Sequence, residues 1–165
     1  MDANETNDTT LANAKAGLAK LPIIGPAMWL YARDPVRRFS FVADMDWQLL
    51  PPVVLDQCQL FTRNEIPVAF FTWAFVSDQV DARLRSGIAR LAPHEWNSGT
   101  HVWLIDAVSP FGSADDMVTT LRQTKLAGHS VSALAQASDP APGHPASVRT
   151  WEPAMLDAKP QDDAR

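Results

Sequence analysis

The stretch His101–Met117, HVWLIDAVSPFGSADDM, constrains this chain more than any other. Val102 to Val108 is rich in β-branched and aromatic residues, which predicts a buried strand. One ionisable residue, Asp106, sits inside it. Ser109-Pro110-Phe111-Gly112 stops the strand, because Pro and Gly are the strongest local breakers. Ser113 is a candidate N-cap, and Asp115 and Asp116 place two carboxylates in the first turn of a following helix. The segment reads as strand, tight loop and helix N-terminus, with a carboxylate in the strand just before the loop. Helix N-termini attract anions and polarised oxygens, so a buried aspartate beside one marks a place for chemistry.

The flanking segments supply the rest of a sheet. Gln57–Arg63 predicts a strand, Asn64-Glu65 a turn, and Pro67–Ser77 a second strand paired to the first as a hairpin. The second run is almost continuously apolar, so both its faces are expected to be buried. Val80, Leu84, Ile88 and Leu91 recur at spacings of three and four, which predicts an amphipathic helix over 78–91, ended by Pro93. Asp116–Lys125 predicts another helix and Ser147–Trp151 a last short strand, while Gly128–Ala135 carries no clear signal. Nearer the N-terminus, Ala27–Ala32 reads as a short helix or a docking segment. Asp34-Pro35 reads as an N-cap followed by Pro at the first helical position. Trp47–Val54, with Pro51-Pro52, reads as a connector or a short helix start. This order of elements defines an α/β (α+β) domain around one mixed sheet.

Composition narrows the function. The 165 residues suit one domain, expected over 16–153, with polar tails at 1–15 and 154–165 expected to be disordered or flexible. A net charge of -5 argues against a nucleic-acid binder, which shows a basic excess. The single cysteine, Cys58, excludes an intrachain disulfide and a cysteine-based zinc site, and fits a reducing, cytoplasmic compartment. The opening MDANETNDTT has no apolar core, so no secretory signal is expected, and no apolar run approaches a membrane span. His94, His101, His129 and His144 show no metal-ligand spacing. His101 lies five residues before Asp106. That odd separation puts the two on opposite faces of a regular strand, and only a bulge brings them together.

Several blocks, taken together, point to a family. They are Trp29-Leu30 with Pro35 and Arg38, Leu60-x-Thr62-Arg63 leading to Pro67-Val68-Ala69-Phe70 and Trp73, then Trp96-Asn97-Ser98-Gly99. Trp103-Leu104-Ile105-Asp106 running into Pro110-Phe111-Gly112 completes the set. The chain resembles the RTX toxin-activating lysine acyltransferases over about three quarters of its length. The resemblance implies a GNAT-like single domain, with a central mixed, mostly antiparallel sheet flanked by helices, often as a homodimer. It implies transfer of a fatty acyl group from acyl carrier protein to the ε-amine of an internal lysine of an RTX-type protoxin. No bound cofactor is expected. The acyl donor is the 4'-phosphopantetheine thioester of the carrier, and the chain carries no Gln/Arg-x-x-Gly-x-Gly/Ala loop of the kind that cradles coenzyme A.

Residue by residue, the resemblance puts the family's catalytic aspartate on Asp106. The family's catalytic histidine lies in a Pro-x-His-Arg arrangement. Here that segment is Pro35-Val36-Arg37-Arg38, so Arg37 stands at the histidine position, and a neighbouring family serine falls on Asp34. Histidine takes a proton near neutral pH, whereas a guanidinium does not deprotonate in a protein. An Arg37 aimed at Asp106 is expected to lower the pKa of the carboxylate. Arg38, Trp103, Ser109, Phe111, Gly112 and Ser113 are the candidate substrate or acyl-carrier contacts. Three functions stand at this point: a toxin-activating lysine acyltransferase, a catalytically impaired relative that binds without turnover, and an acyltransferase with a different acceptor.

Overall fold

A computed structural model describes residues 19–112, 114–135 and 147–153. The expected tails, Ser113 and the whole Gln136–Pro145 segment lie outside the described residues. Five strands form one sheet in the order β1-β2-β3-β4-β5. They are β1 (Cys58–Arg63), β2 (Ile66–Val76), β3 (His101–Val108), β4 (Val131–Leu134) and β5 (Val148–Trp151). All neighbours are antiparallel except β3 and β4, which run parallel. The sheet is therefore mixed and mostly antiparallel, as expected.

The β1–β2 hairpin turns at Asn64 and Glu65, whose φ angles of 49° and 64° give the two positive values that match the twist of a tight hairpin. β2 is buried along most of its length, and its alternate residues feed both faces of the sheet. On one face Phe71, Trp73, Val102 and Leu104 pack with Val118 and Leu121 of the helix α5 (Ala114–Gln123). On the other face Phe70 and Val108 meet Leu30 and Tyr31 of α1 (Leu21–Tyr31), with Leu49 and Val53 beside them. Leu49 links two short helices, α2 (Met45–Gln48) and α3 (Leu50–Val54). Further along that face Ala74, Val76 and Trp103 meet Val80 and Leu84 of α4 (Asp78–Arg85).

Four segments differ from the sequence reading, each for a local reason. The helix expected over 78–91 stops at Arg85, because Gly87 takes φ 93° and its N–H returns to the Leu84 carbonyl while that of Ile88 returns to Arg83. This is a glycine-terminated C-cap, and it leaves Ile88 exposed. Asp34 does cap, its Oδ1 accepting the N–H groups of Val36 and Arg37, but it opens only a 3-10 turn, Arg37–Phe39. Gly128–Ala135, which carried no clear signal, contains β4, short enough that neither period can show. The short helix expected at Ala27–Ala32 starts earlier, at Leu21, and ends at Tyr31; Pro22 sits in its first turn, where the missing N–H has no helical partner to lose, and Pro26 lies inside it.

The Trp96–Gly99 block is a brace. Phe75 N–H donates to the Trp96 carbonyl, Ser98 and Gly99 N–H groups return to Phe75, and the Ser98 hydroxyl accepts from Ser77 N–H. A Cβ on Gly99 would lie 2.4 Å from the Val76 carbonyl oxygen, so only glycine fits there. The brace fixes the start of β3, and with it the position of Asp106 further along.

Candidate active site

The register of β2 against β3 places Asp106. Phe71 pairs with Ala107 and Thr72 with Asp106, but the next residue of β2, Trp73, pairs with Leu104. Ile105 is therefore an extra residue, a β-bulge. In a regular strand of the same residues Asp106 would share the face of Val102 and Leu104 and point at α5. With the bulge, Asp106 shares the face of Trp103 and Val108 and lies under α1 and α2. The bulge also puts His101 on the Asp106 face. His101 stays at the far end of the strand, roughly 16 Å away along the chain. Its Nε2 lies 2.7 Å from Asp78 Oδ1 instead.

Three side chains donate to the Asp106 carboxylate. Tyr31 Oη donates to Oδ2 at 2.9 Å and Gln48 Nε2 to Oδ2 at 3.2 Å. Arg37 Nε lies 2.9 Å from Oδ1 and 3.1 Å from Oδ2. Asp106 is 5% exposed, whereas the Arg37 side chain is 34% exposed. The pair thus shares its charge unequally with water. Burial pushes the Asp106 carboxyl above the ordinary aspartate value; the Arg37 guanidinium and the hydrogen bonds of Tyr31, Arg37 and Gln48 pull against it and do not win. The downward pull expected of Arg37 is present, and burial outweighs it. Burial works against the Arg37 charge as well, but the adjacent carboxylate holds the guanidinium above its usual value. Burial and the Asp106 charge drive the Tyr31 hydroxyl well above the usual tyrosine range, so Tyr31 acts here as a donor.

The sheet opens beside this carboxylate. β3 and β4 pair only from Val102–Val131 to Leu104–Ala133, then part at the bulge. A cleft of about 480 Å³ fills the gap, walled by Ile105, Ala107, Val118, Leu134 and Trp151, with Arg37 and Asp106 reaching it and the first turn of α5 at its side. That size is ordinary for a small-molecule site. A smaller cavity of about 150 Å³ lies between α1 and the 37–45 turns, lined by Met28, Tyr31, Phe41, Val42 and Met45. Arg37 lines both.

The other sequence candidates scatter. Arg38 lines the smaller cavity, with its guanidinium 5.5 Å from the centre of the Phe39 ring. Trp103 walls the cleft and donates its indole N–H to Asp81 at 2.7 Å. Ser109 donates to the Gly112 carbonyl, and Phe111 is exposed and rests on Trp29 with ring centres 5.6 Å apart. Ser109, Phe111 and Gly112 line neither cavity. Ser113 lies outside the described residues. Tyr31 and Gln48 escaped sequence reasoning. Their one signal is chemical: each is a lone hydrogen-bonding side chain in an otherwise apolar run, and Tyr31 is the single tyrosine of the chain. Among the described residues no group of three or more His, Cys, Asp or Glu side chains is placed to hold a metal ion.

A mixed sheet flanked by helices, opened at its one parallel pair around a buried carboxylate, is compatible with a GNAT-like single domain. The chain belongs to the RTX toxin acyltransferase family, whose model matches residues 16–152. It is 34% identical over 102 residues to the lysine-acyltransferase RtxC of Vibrio cholerae, covering 61% of this chain and 67% of that protein. It is 31% identical over 103 residues to the protein-lysine myristoyltransferase HlyC of Escherichia coli, covering 62% of this chain and 61% of that one. The RTX-III toxin-activating lysine-acyltransferase ApxIIC of Actinobacillus pleuropneumoniae is 31% identical over 100 residues, covering 61% of this chain and 58% of that one. The matched region thus spans about three fifths of these curated relatives.

Proposed function

We propose that this chain is a protein-lysine fatty acyltransferase that activates an RTX-type protoxin in the cytoplasm, taking its acyl group from acyl carrier protein and working as a homodimer. The observation that carries the reading is the ion pair of buried Asp106 with part-exposed Arg37, in which Asp106 lines the larger cleft and Arg37 lines both spaces. The cleft suits the acyl chain, and the smaller cavity gives the acceptor an approach to Arg37, which lines both.

Lysine attacks as a neutral amine, so its ammonium first loses a proton, which its pKa near 10.4 opposes. Asp106, a stronger base than an exposed aspartate, receives or relays that proton. The amine nitrogen then bonds to the thioester carbon, and the carbonyl electron pair moves to oxygen. Arg37 spends only Nε on Asp106, and its Nη1 and Nη2 make no hydrogen bond among the described residues, so they are available to the oxyanion. Collapse breaks the C–S bond. The proton shed by nitrogen goes to the leaving thiolate, giving an amide and a free thiol. Arginine thus serves here by stabilising charge rather than by accepting a proton.

The competing reading is a binding protein without turnover, favoured by the contact of Arg37 Nε with both Asp106 oxygens. Intact-protein and peptide mass spectrometry on a co-expressed RTX-type protoxin separates the two. A fatty-acyl mass on a lysine, present with wild type and absent with Asp106→Ala, supports the enzyme. Acylation only with Arg37→His supports the binding protein.

A further inference from the structure

One buried polar group beside the site has no assigned task. Thr72, at the centre of β2, is the cross-strand partner of Asp106 and shares its face of the sheet. It is wholly buried, and its Oγ1 makes no hydrogen bond among the described residues. Such hydroxyls are rare, because an unpaired buried donor loses its hydration and gains nothing in return. Valine would fill nearly the same shape without that cost, in a strand that already uses Val68 and Val76.

The carboxylate opposite is unevenly occupied. Among the described residues Oδ2 accepts from Tyr31, Arg37 and Gln48, whereas Oδ1 accepts from Arg37 Nε alone. An ionised carboxylate offers about four acceptor sites, so Oδ1 has room for another donor. Tyr31 and Gln48 are buried and stay where packing holds them. Arg37 is the least buried of the three and lines both cavities. When an oxyanion draws its guanidinium outward through Nη1 and Nη2, the Nε contact with Oδ1 loosens.

We propose that Thr72 is a positioning residue for Asp106: its hydroxyl donates to the carboxylate when the Nε contact of Arg37 loosens. This rests on the acyltransferase reading for its purpose, though the Thr72–Asp106 coupling is measurable without turnover. This role explains why a hydroxyl sits unpaired at the one irregular point of the β2–β3 ladder.

The test uses Thr72→Val and Thr72→Ser in the full chain, each with Arg37 present and with Arg37→Ala. The Asp106 carboxyl is followed by carbon NMR on aspartate-labelled protein, its signal assigned by its loss in Asp106→Asn. In the Arg37→Ala background, Thr72→Val raises the Asp106 pKa by about half a unit or more, because a donor to the charged form is gone, and Thr72→Ser does not. With Arg37 present, Thr72→Val lowers kcat about tenfold with KM within about twofold, Thr72→Ser restores it, and the unfolding midpoint does not fall. An Asp106 titration that Thr72→Val leaves unmoved in Arg37→Ala overturns the proposal, whatever the activity. A moved titration in a wild-type protein that acylates nothing leaves the coupling standing and removes the acyltransferase reading.

Discussion

Arg37 reaches Asp106 through Nε alone, 2.9 Å from one carboxylate oxygen and 3.1 Å from the other. A guanidinium bound in this way keeps its two terminal nitrogens for another anion. That geometry separates what Asp106 and Arg37 contribute, and the two can be tested apart.

Asp106→Asn removes the proton acceptor and keeps the shape. Acyl transfer is expected to fall by about 10²–10⁴, the usual span for a lost general base. Breaking a fully buried ion pair costs about 3–5 kcal/mol; because Arg37 is one third exposed and can turn to water, about 1–3 kcal/mol is expected here. Urea unfolding and a thiol-release assay on the same sample read both quantities.

Arg37→Gln keeps a donor but removes the charge, and a loss of about 10²–10³ in kcat is expected for a missing oxyanion partner. Arg37→His introduces a group that titrates near pH 6.5, moved upward by the adjacent carboxylate. Its rate profile should gain a limb in that region that wild type lacks. Identical profiles for the two proteins would count against the assigned role of Arg37.

Deleting Ile105 removes the extra residue and leaves Asp106 directly after Leu104, still opposite Thr72 and still on the face of α1 and α2. The ladder becomes regular, so the deletion protein is expected to fold by circular dichroism. Ile105 walls the cleft, so acyl transfer is expected to fall in the deletion protein more than in Ile105→Ala, which keeps the bulge.

Arg83 grips Glu95 by two hydrogen bonds of 2.8 and 2.6 Å, and the Ala92 N–H adds a third at 2.8 Å. The Arg83 bonds hold the Glu95 carboxyl down at about 2, against burial, with the Ala92 N–H assisting. A carboxyl held low when folded contributes stability above its unfolded pKa and loses it as pH falls. The loss therefore begins near pH 4.5 and ends near pH 2. Glu95→Gln should show lower stability at pH 7 and a flatter urea midpoint between pH 5 and pH 3 than wild type.

The architecture was readable where residues signal locally. Val102–Val108 and Pro67–Ser77 declared themselves as strands by composition, and Asn64-Glu65 by its place between two apolar runs. Of the candidate residues named from the sequence, Arg37 and Asp106 do meet. What escaped depends on other segments. The bulge at Ile105 has no sequence mark, because alternation on β3 is apolar on both faces. Tyr31 and Gln48 join Asp106 only once α1 and α2 pack over the sheet. Gly87 was visible, but four apolar residues in helical phase outvoted it.

Arg37 has one more consequence, which concerns water. Its side chain forms part of the wall between two spaces that both open to solvent. A small residue at that point would turn two compartments into a passage, and a thioester held there would face bulk water from the acceptor side. The guanidinium is then a stopper as much as a charge, and its removal would divert acyl groups from amide to free fatty acid. Selectivity for the amine over a far more concentrated competitor would rest on how well one side chain fills a gap.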